Sequence, residues 1–221
     1  MHQLHPKTLK FLSGLKKNNN KEWFEKNRET YAEIRNTFIN VVQEVINEIN
    51  FFDTSLGTPD AKKCLFRINR DIRFSKDKSP YKINMGASMA KGGKNLPSAG
   101  YYLHVQPHRC FIGGGIWMPP SDNVNKIRQE IDYNFSDFKK IIESAAFKKE
   151  FESLSTEEKL ARPPKNYAPD NPAIEYLKLK SFIATRDIKD EIVLSKNYLR
   201  EVILTFRQLH PLISFINRAV A

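Results

Sequence analysis

Between Phe66 and Lys82 the chain sets six cations, Arg67, Arg70, Arg73, Lys76, Lys78 and Lys82, and two aspartates, Asp71 and Asp77, among apolar residues. Guanidinium and ammonium groups at this density suit a phosphate or carboxylate, because they donate charge-assisted hydrogen bonds that match such anions. On this reading Arg67, Arg70, Arg73, Lys78 and Lys82 grip the anion and Asp71 and Asp77 orient the cations. Tyr81, His104 and Trp117 shape the cavity. The competing reading is an internal ion-pair network in which each Asp bridges two cations. Pairing each Asp once still leaves a surplus of four positive charges in the box, which keeps anion binding in play.

The elements that must position these groups follow from periodicity. Phe66, Ile68, Ile72 and Phe74 share one parity, and Arg67, Asn69, Asp71 and Arg73 the other. That spacing predicts a strand with one charged, solvated face rather than a basic helix. Arg70 falls on the apolar parity, so it marks either a bend or an inward guanidinium that needs a carboxylate partner. On a straight strand Arg67 and Arg73 would stand about 20 Å apart. The turn-like Ser75–Pro80 run would instead fold Lys78 and Lys82 back toward Arg67.

Other chemistries have thinner support. His104, with Tyr102 and Gln106 on its parity, could act as a general base or a metal ligand beside Asp71 or Asp77; an enzyme of this kind, with His104 or an Asp as acid/base and Arg as charge stabiliser, would move protons on, or hydrolyse, a phosphorylated or carboxylated substrate. No paired histidine spacing points to a metal, and no cofactor is expected. Gly113-Gly114-Gly115 lacks the Lys-Ser or Lys-Thr of a phosphate loop, so packing is its default reading. A nucleophile elbow is absent. Phe74, Tyr81, Tyr101, Tyr102 and Trp117 interleave with the cations, a pattern that also suits a single-stranded nucleic-acid module, although aromatics in strands more often pack in cores.

The whole chain sets the limits. Its 221 residues suffice for one well-buried core, and a single domain over 1–221 is expected. A hydrophobic fraction of 40% with 11% aromatic residues excludes a disordered chain. The net charge of +11 favours anionic partners, a phosphorylated metabolite or nucleic acid among them. No apolar run is long enough for a membrane span, and Met1–Lys7 lacks the apolar core of a secretory signal, so a cytoplasmic location is expected. Cys64 and Cys110 are too few for a disulfide framework and read as reduced, buried thiols.

A first helix is predicted over Leu9–Lys17 with Thr8 as cap, and a long second helix over about Lys21–Asn50 with Asn20 as cap. Four strands follow, near Cys64–Arg70, Lys82–Ala90, Gly100–Gln106 and Cys110–Trp117. Lys91–Lys94 and Pro107–Arg109 form turns. Helical stripes begin at Ser121 and again after Ser136, and a short helix is expected from about Thr156. Arg162–Pro172, holding four of the twelve prolines, reads as an extended strap anchored by Tyr167, followed by a helix over Ala173–Leu177. A fifth strand is placed at Lys180–Arg186 and a last helix from Ser195, kinking or ending at Pro211. The class is α+β, with an antiparallel sheet of about five strands packed against N-terminal, central and C-terminal helices.

Several blocks carry a resemblance: Asn19-Asn20 before Glu22-Trp23-Phe24, Arg67 to Lys82, Gly100–His104, Gly114–Trp117, Arg162–Lys165 and Leu177–Phe182. In order and across nearly the whole chain, they resemble an uncharacterised family of bacterial and fungal proteins, the domain of unknown function 2461. The resemblance implies one domain and directs attention to the charged box. Asn69 departs from the family's pattern, and no role is assigned to it.

Overall fold

In the computed structural model residues 3–93 and 98–221 are described. Met1, His2 and Lys94, the last residue of the expected Lys91–Lys94 turn, lie outside them. Two N-terminal helices, α1 (Thr8–Lys17) and α2 (Lys21–Lys26), lead into the long α3 (Arg28–Ile49). After a 3-10 turn at Thr54–Leu56 comes the one-turn α4 (Ala61–Cys64). Strands β1 (Met85–Ala90), β2 (Gly100–Val105) and β3 (Phe111–Ile116) form a meander. Next come α5 (Ser121–Tyr133), α6 (Phe135–Ile142), α7 (Ala145–Phe151) and α8 (Ile174–Leu177), then β4 (Phe182–Asp187), α9 (Asp190–Val193) and α10 (Tyr198–Val220). The class is α+β, and the sheet is antiparallel throughout in the order β1-β2-β3-β4. The sheet has four strands, not five.

The missing strand is the predicted Cys64–Arg70. Asp60 accepts from the Lys62 amide at 2.9 Å and caps a helical turn that ends at Cys64. Beyond it, Leu65 and Phe66 touch β1 through one bridge, Leu65 to Ala87, and one bond, Phe66 N–H to Gly86 at 3.0 Å. The chain then doubles back on itself, with Arg70 N–H bonded to Pro80 at 2.9 Å and Lys82 N–H to Ile68 at 2.7 Å. The pairing stops there because side chains take over the backbone groups of the tip. Asp77 accepts from Ser79 N–H at 2.9 Å, and Lys78 Nζ donates to the Ile72 carbonyl at 3.0 Å. Pro80, with no N–H, closes that limb to further ladder bonds.

The long helix expected from Lys21 is two helices. Asn20 caps the first as predicted, accepting from Trp23 N–H at 2.9 Å. The Asn27 carboxamide then donates to the Trp23 carbonyl at 2.8 Å, competing with the main-chain ladder and separating α2 from α3. Thr8 does not cap α1 but opens it, its hydroxyl donating to the His5 carbonyl at 2.7 Å. A helix forms at Ala145–Phe151, capped by Ser144, and not from Thr156. Tyr167 packs against the core from the irregular strap, as expected. Pro211 does not end α10, which runs on to Val220 because Leu212, Ile213, Phe215 and Ile216 continue its buried stripe past the proline.

That stripe backs the sheet. Val202, Phe206, Leu209 and Ile213 of α10 lie in one apolar core with Tyr101, Leu103 and Ile112 of the inward strand faces. The approach is close because residue 114 is glycine: a Cβ there would stand 3.0 Å from Leu209 Cδ1 and 3.2 Å from Ile213 Cδ1. Gly115, at φ 116°, lies against the Phe182 carbonyl of β4, a backbone contact that no side chain would permit. The triple glycine is therefore a packing device. Among the described residues, no helix is long and apolar enough to cross a membrane.

Candidate functional site

The basic box is a two-limbed loop tied to the N-terminal helices. The Asn19 carboxamide accepts from Tyr81 N–H at 3.0 Å and donates to the Tyr81 carbonyl at 2.9 Å. The Tyr81 ring stacks on Phe24 at 4.1 Å and 14°. Phe24 in turn packs on Phe11 and Tyr31, so an aromatic cluster of α1, α2 and α3 holds the base of the box.

This tether opens a cleft of about 380 Å³ lined by Lys16, Asn19, Arg70, Asp77, Ser79, Tyr81, Lys82, Ile83 and Asn84. Arg70 turns inward, its side chain 25% exposed, and takes Asp77 as the carboxylate partner that its place on the apolar parity required. It also donates to the Ser79 carbonyl and the Ser75 hydroxyl, each at 3.3 Å. Hydrogen bonds from the Ser79 hydroxyl and amide, and then from Arg70, pull the Asp77 carboxyl down to about 2. Asp77 is thus ionised at neutral pH and fixes Arg70 as a preset fork.

The remaining expected residues are spread over the loop and the sheet. Arg73 forms a bidentate pair with Asp71 at 2.7 and 3.0 Å on the exposed rim, and these bonds lower the Asp71 carboxyl. Arg67 is exposed, and Lys78 is held by the Ile72 carbonyl. Lys82 places its ammonium 5.3 Å above the Phe66 ring. Of the ten residues expected at a site, Arg70, Asp77, Tyr81 and Lys82 line the cleft, whereas Arg67, Asp71, Arg73, Lys78, His104 and Trp117 do not.

His104 lies on the sheet face away from α10. Its Nδ1 accepts from the Tyr102 hydroxyl at 3.3 Å and its Nε2–H donates to Gln106 at 3.2 Å. Burial depresses its basicity; nearby Arg109 adds to this and the Gln106 bond opposes it, so the ring is neutral at pH 7. Trp117, 55% exposed, follows the last residue of β3, beyond Gly115, which pairs with Gly100 at the opposite end of β2 from His104. Both thiols are buried and outside any disulfide, and burial pushes Cys110 up to about 12.

Two features escape sequence reading. Lys16 and Asn84 join the cleft from segments with no local signal, and only the Asn18-Asn19-Asn20 triplet marks the tether. Beneath the sheet, buried Asp53 accepts from the Tyr101 hydroxyl at 2.8 Å and the Ser55 hydroxyl at 2.5 Å, with His210 Nδ1 3.5 Å away. Burial alone would raise the Asp53 carboxyl, but the Ser55 and Tyr101 bonds and His210 outweigh it and hold it low. Burial and the carboxylate push the Tyr101 phenol far up. Among the described residues, no group of three or more His, Cys, Asp and Glu could hold a metal ion.

No curated protein and no solved structure shows significant similarity to the chain. A family model described as a conserved hypothetical protein, DUF2461, matches residues 7–215, a span that takes in both the cleft and the sheet. The chain therefore belongs to the DUF2461 family.

Proposed function

We propose that the chain binds a small anion, a phosphate or carboxylate group, in the cleft between the C-terminal end of α1 and the basic box. The observation that carries this reading is the meeting of Lys16, Arg70 and Lys82 on one cleft where, among the described residues, the carboxylate is that of Asp77, which Arg70 already occupies. A guanidinium held by Asp77, Ser75 and Ser79 is presented to a ligand with little ordering left to do. Ser79 and Asn84 add neutral polar groups to the same wall. The rim pair Arg73–Asp71 neutralises itself and does not line the cleft. Among the described residues lining the cleft, the acid/base candidate Asp77 is engaged by Arg70 and Ser79, and His104 lies off the cleft, so binding is favoured over catalysis on a phosphorylated or carboxylated substrate.

Isothermal titration calorimetry with inorganic phosphate and with malonate tests it. One of the two is expected to bind, and Lys16→Gln to weaken that binding about tenfold by removing one charge-assisted contact. Absence of heat with both anions, or binding unchanged by Lys16→Gln, would overturn it.

A further inference from the structure

The sheet face turned away from α10 carries a row of rings that neither the core nor the cleft uses. Alternation along β2 sends Tyr101, Leu103 and Val105 inward and leaves Tyr102 and His104 half-buried on the outer face, with Phe111 of β3 opposite His104 in the register. His104 stacks on Phe111 at 4.5 Å and 10°, and Tyr102 lies 5.7 Å from Phe111. Phe66, 42% exposed, extends the row at the β1 edge, 6.1 Å from Tyr102.

The charge around this row is sided. Lys82 sits over Phe66, Arg67 follows it on the exposed limb of the box, and Arg109 lies in the β2–β3 turn close enough to act on His104. An acidic group, Asp187, lies opposite Phe111 on the edge strand β4, and Asp190 accepts from His108 N–H in the turn that carries Arg109. His104, being neutral, contributes a ring and no charge.

We infer that this face binds single-stranded nucleic acid, its bases laid on Phe66, Tyr102, His104 and Phe111 and its phosphates met by Arg67, Lys82 and Arg109. A partly exposed sheet face bearing aromatics on adjacent central strands, edged by cations, offers what an unpaired strand needs: π surfaces for bases and a positive track for the backbone. A duplex keeps its base faces stacked inside and cannot use the rings. The inference does not rest on the small-anion reading, since Lys16 and Arg70 take no part in it; Lys82 is common to both.

The test is fluorescence anisotropy with a labelled oligothymidylate of about a dozen nucleotides and a strand of equal length and charge lacking its bases. Wild type is expected to bind the base-bearing strand at least about tenfold more tightly than the abasic one, at low and at moderate salt. Phe66→Leu and Phe111→Leu, which keep the apolar contact but lose the ring, should bring that ratio toward one. Lys16→Gln, which should weaken anion binding in the cleft about tenfold, should leave it unchanged, so either reading can fail alone. Equal affinity for the two strands would reduce the face to a polyanion surface and overturn the inference. So would no binding at low salt, including the case in which sedimentation shows the face occupied by a second copy of the chain.

Discussion

The side-chain amide of Asn19 pairs with both backbone polar groups of Tyr81, N–H at 3.0 Å and C=O at 2.9 Å, as a neighbouring strand would. Asn19, two residues past the end of α1, thus anchors the basic box across the fold. The same device recurs at Asn217 of α10, which bonds Ala99 N–H at 2.8 Å and its carbonyl at 3.2 Å just before β2.

Asn19→Ala removes both bonds and leaves the Tyr81 amide and carbonyl half-buried without them, so a loss of about 1–3 kcal/mol is expected in urea unfolding. Asn19→Asp keeps the acceptor and loses the donor, and should fall between alanine and wild type. Equal stability of Asn19→Ala and wild type would show that the Tyr81–Phe24 stack alone holds the box.

The Asp77 carboxyl, held at about 2 by Ser79 and Arg70, titrates below its ordinary value. Its contribution to stability is full above the unfolded-state value, near 4, and is lost as pH falls through about 2. Asp77→Asn is therefore expected to be less stable than wild type at neutral pH and to show a shallower loss between about pH 4 and 2. Carboxyl NMR titration should place the wild-type midpoint near 2.

Tyr101→Phe deletes the 2.8 Å bond to buried Asp53. A hydrogen bond to a charged group in that setting contributes about 1.5–3 kcal/mol, and a loss of that size is expected. Because the Asp53 carboxyl is held low in the fold, its stabilisation is present above the unfolded-state value and fades on acidification. The difference between wild type and Tyr101→Phe should accordingly shrink as pH falls, which thermal scans across the acid range would read.

Gly114→Ala sets a methyl 2.8 Å from the Gly100 carbonyl, against Leu209 and Ile213 of α10. Overpacking at this depth costs about 1–3 kcal/mol. Gly115→Ala adds a strained φ of 116° to its clash with the Phe182 carbonyl and should be the worse of the two, to the point of loss of soluble protein.

The alternation of Tyr101 to Val105, the turn residues and the apolar stripes of α3 and α10 made the helices, the three-strand meander and the class legible, because periodicity records which side of an element is buried. Arg70's place on the apolar parity likewise announced an inward guanidinium in want of a carboxylate. The same alternation misread the box as a strand, since a ladder needs free backbone groups on a partner. Here Asp71, Asp77 and Lys78 had claimed those groups locally, and Pro80 had no N–H to offer. That Lys16 meets Arg70, that Asp53 lies under Tyr101 and that Phe66 joins the rings of β2 and β3 are contacts across long stretches of chain. No local period encodes such meetings; the packing of α10 and the Asn19 tether decides them.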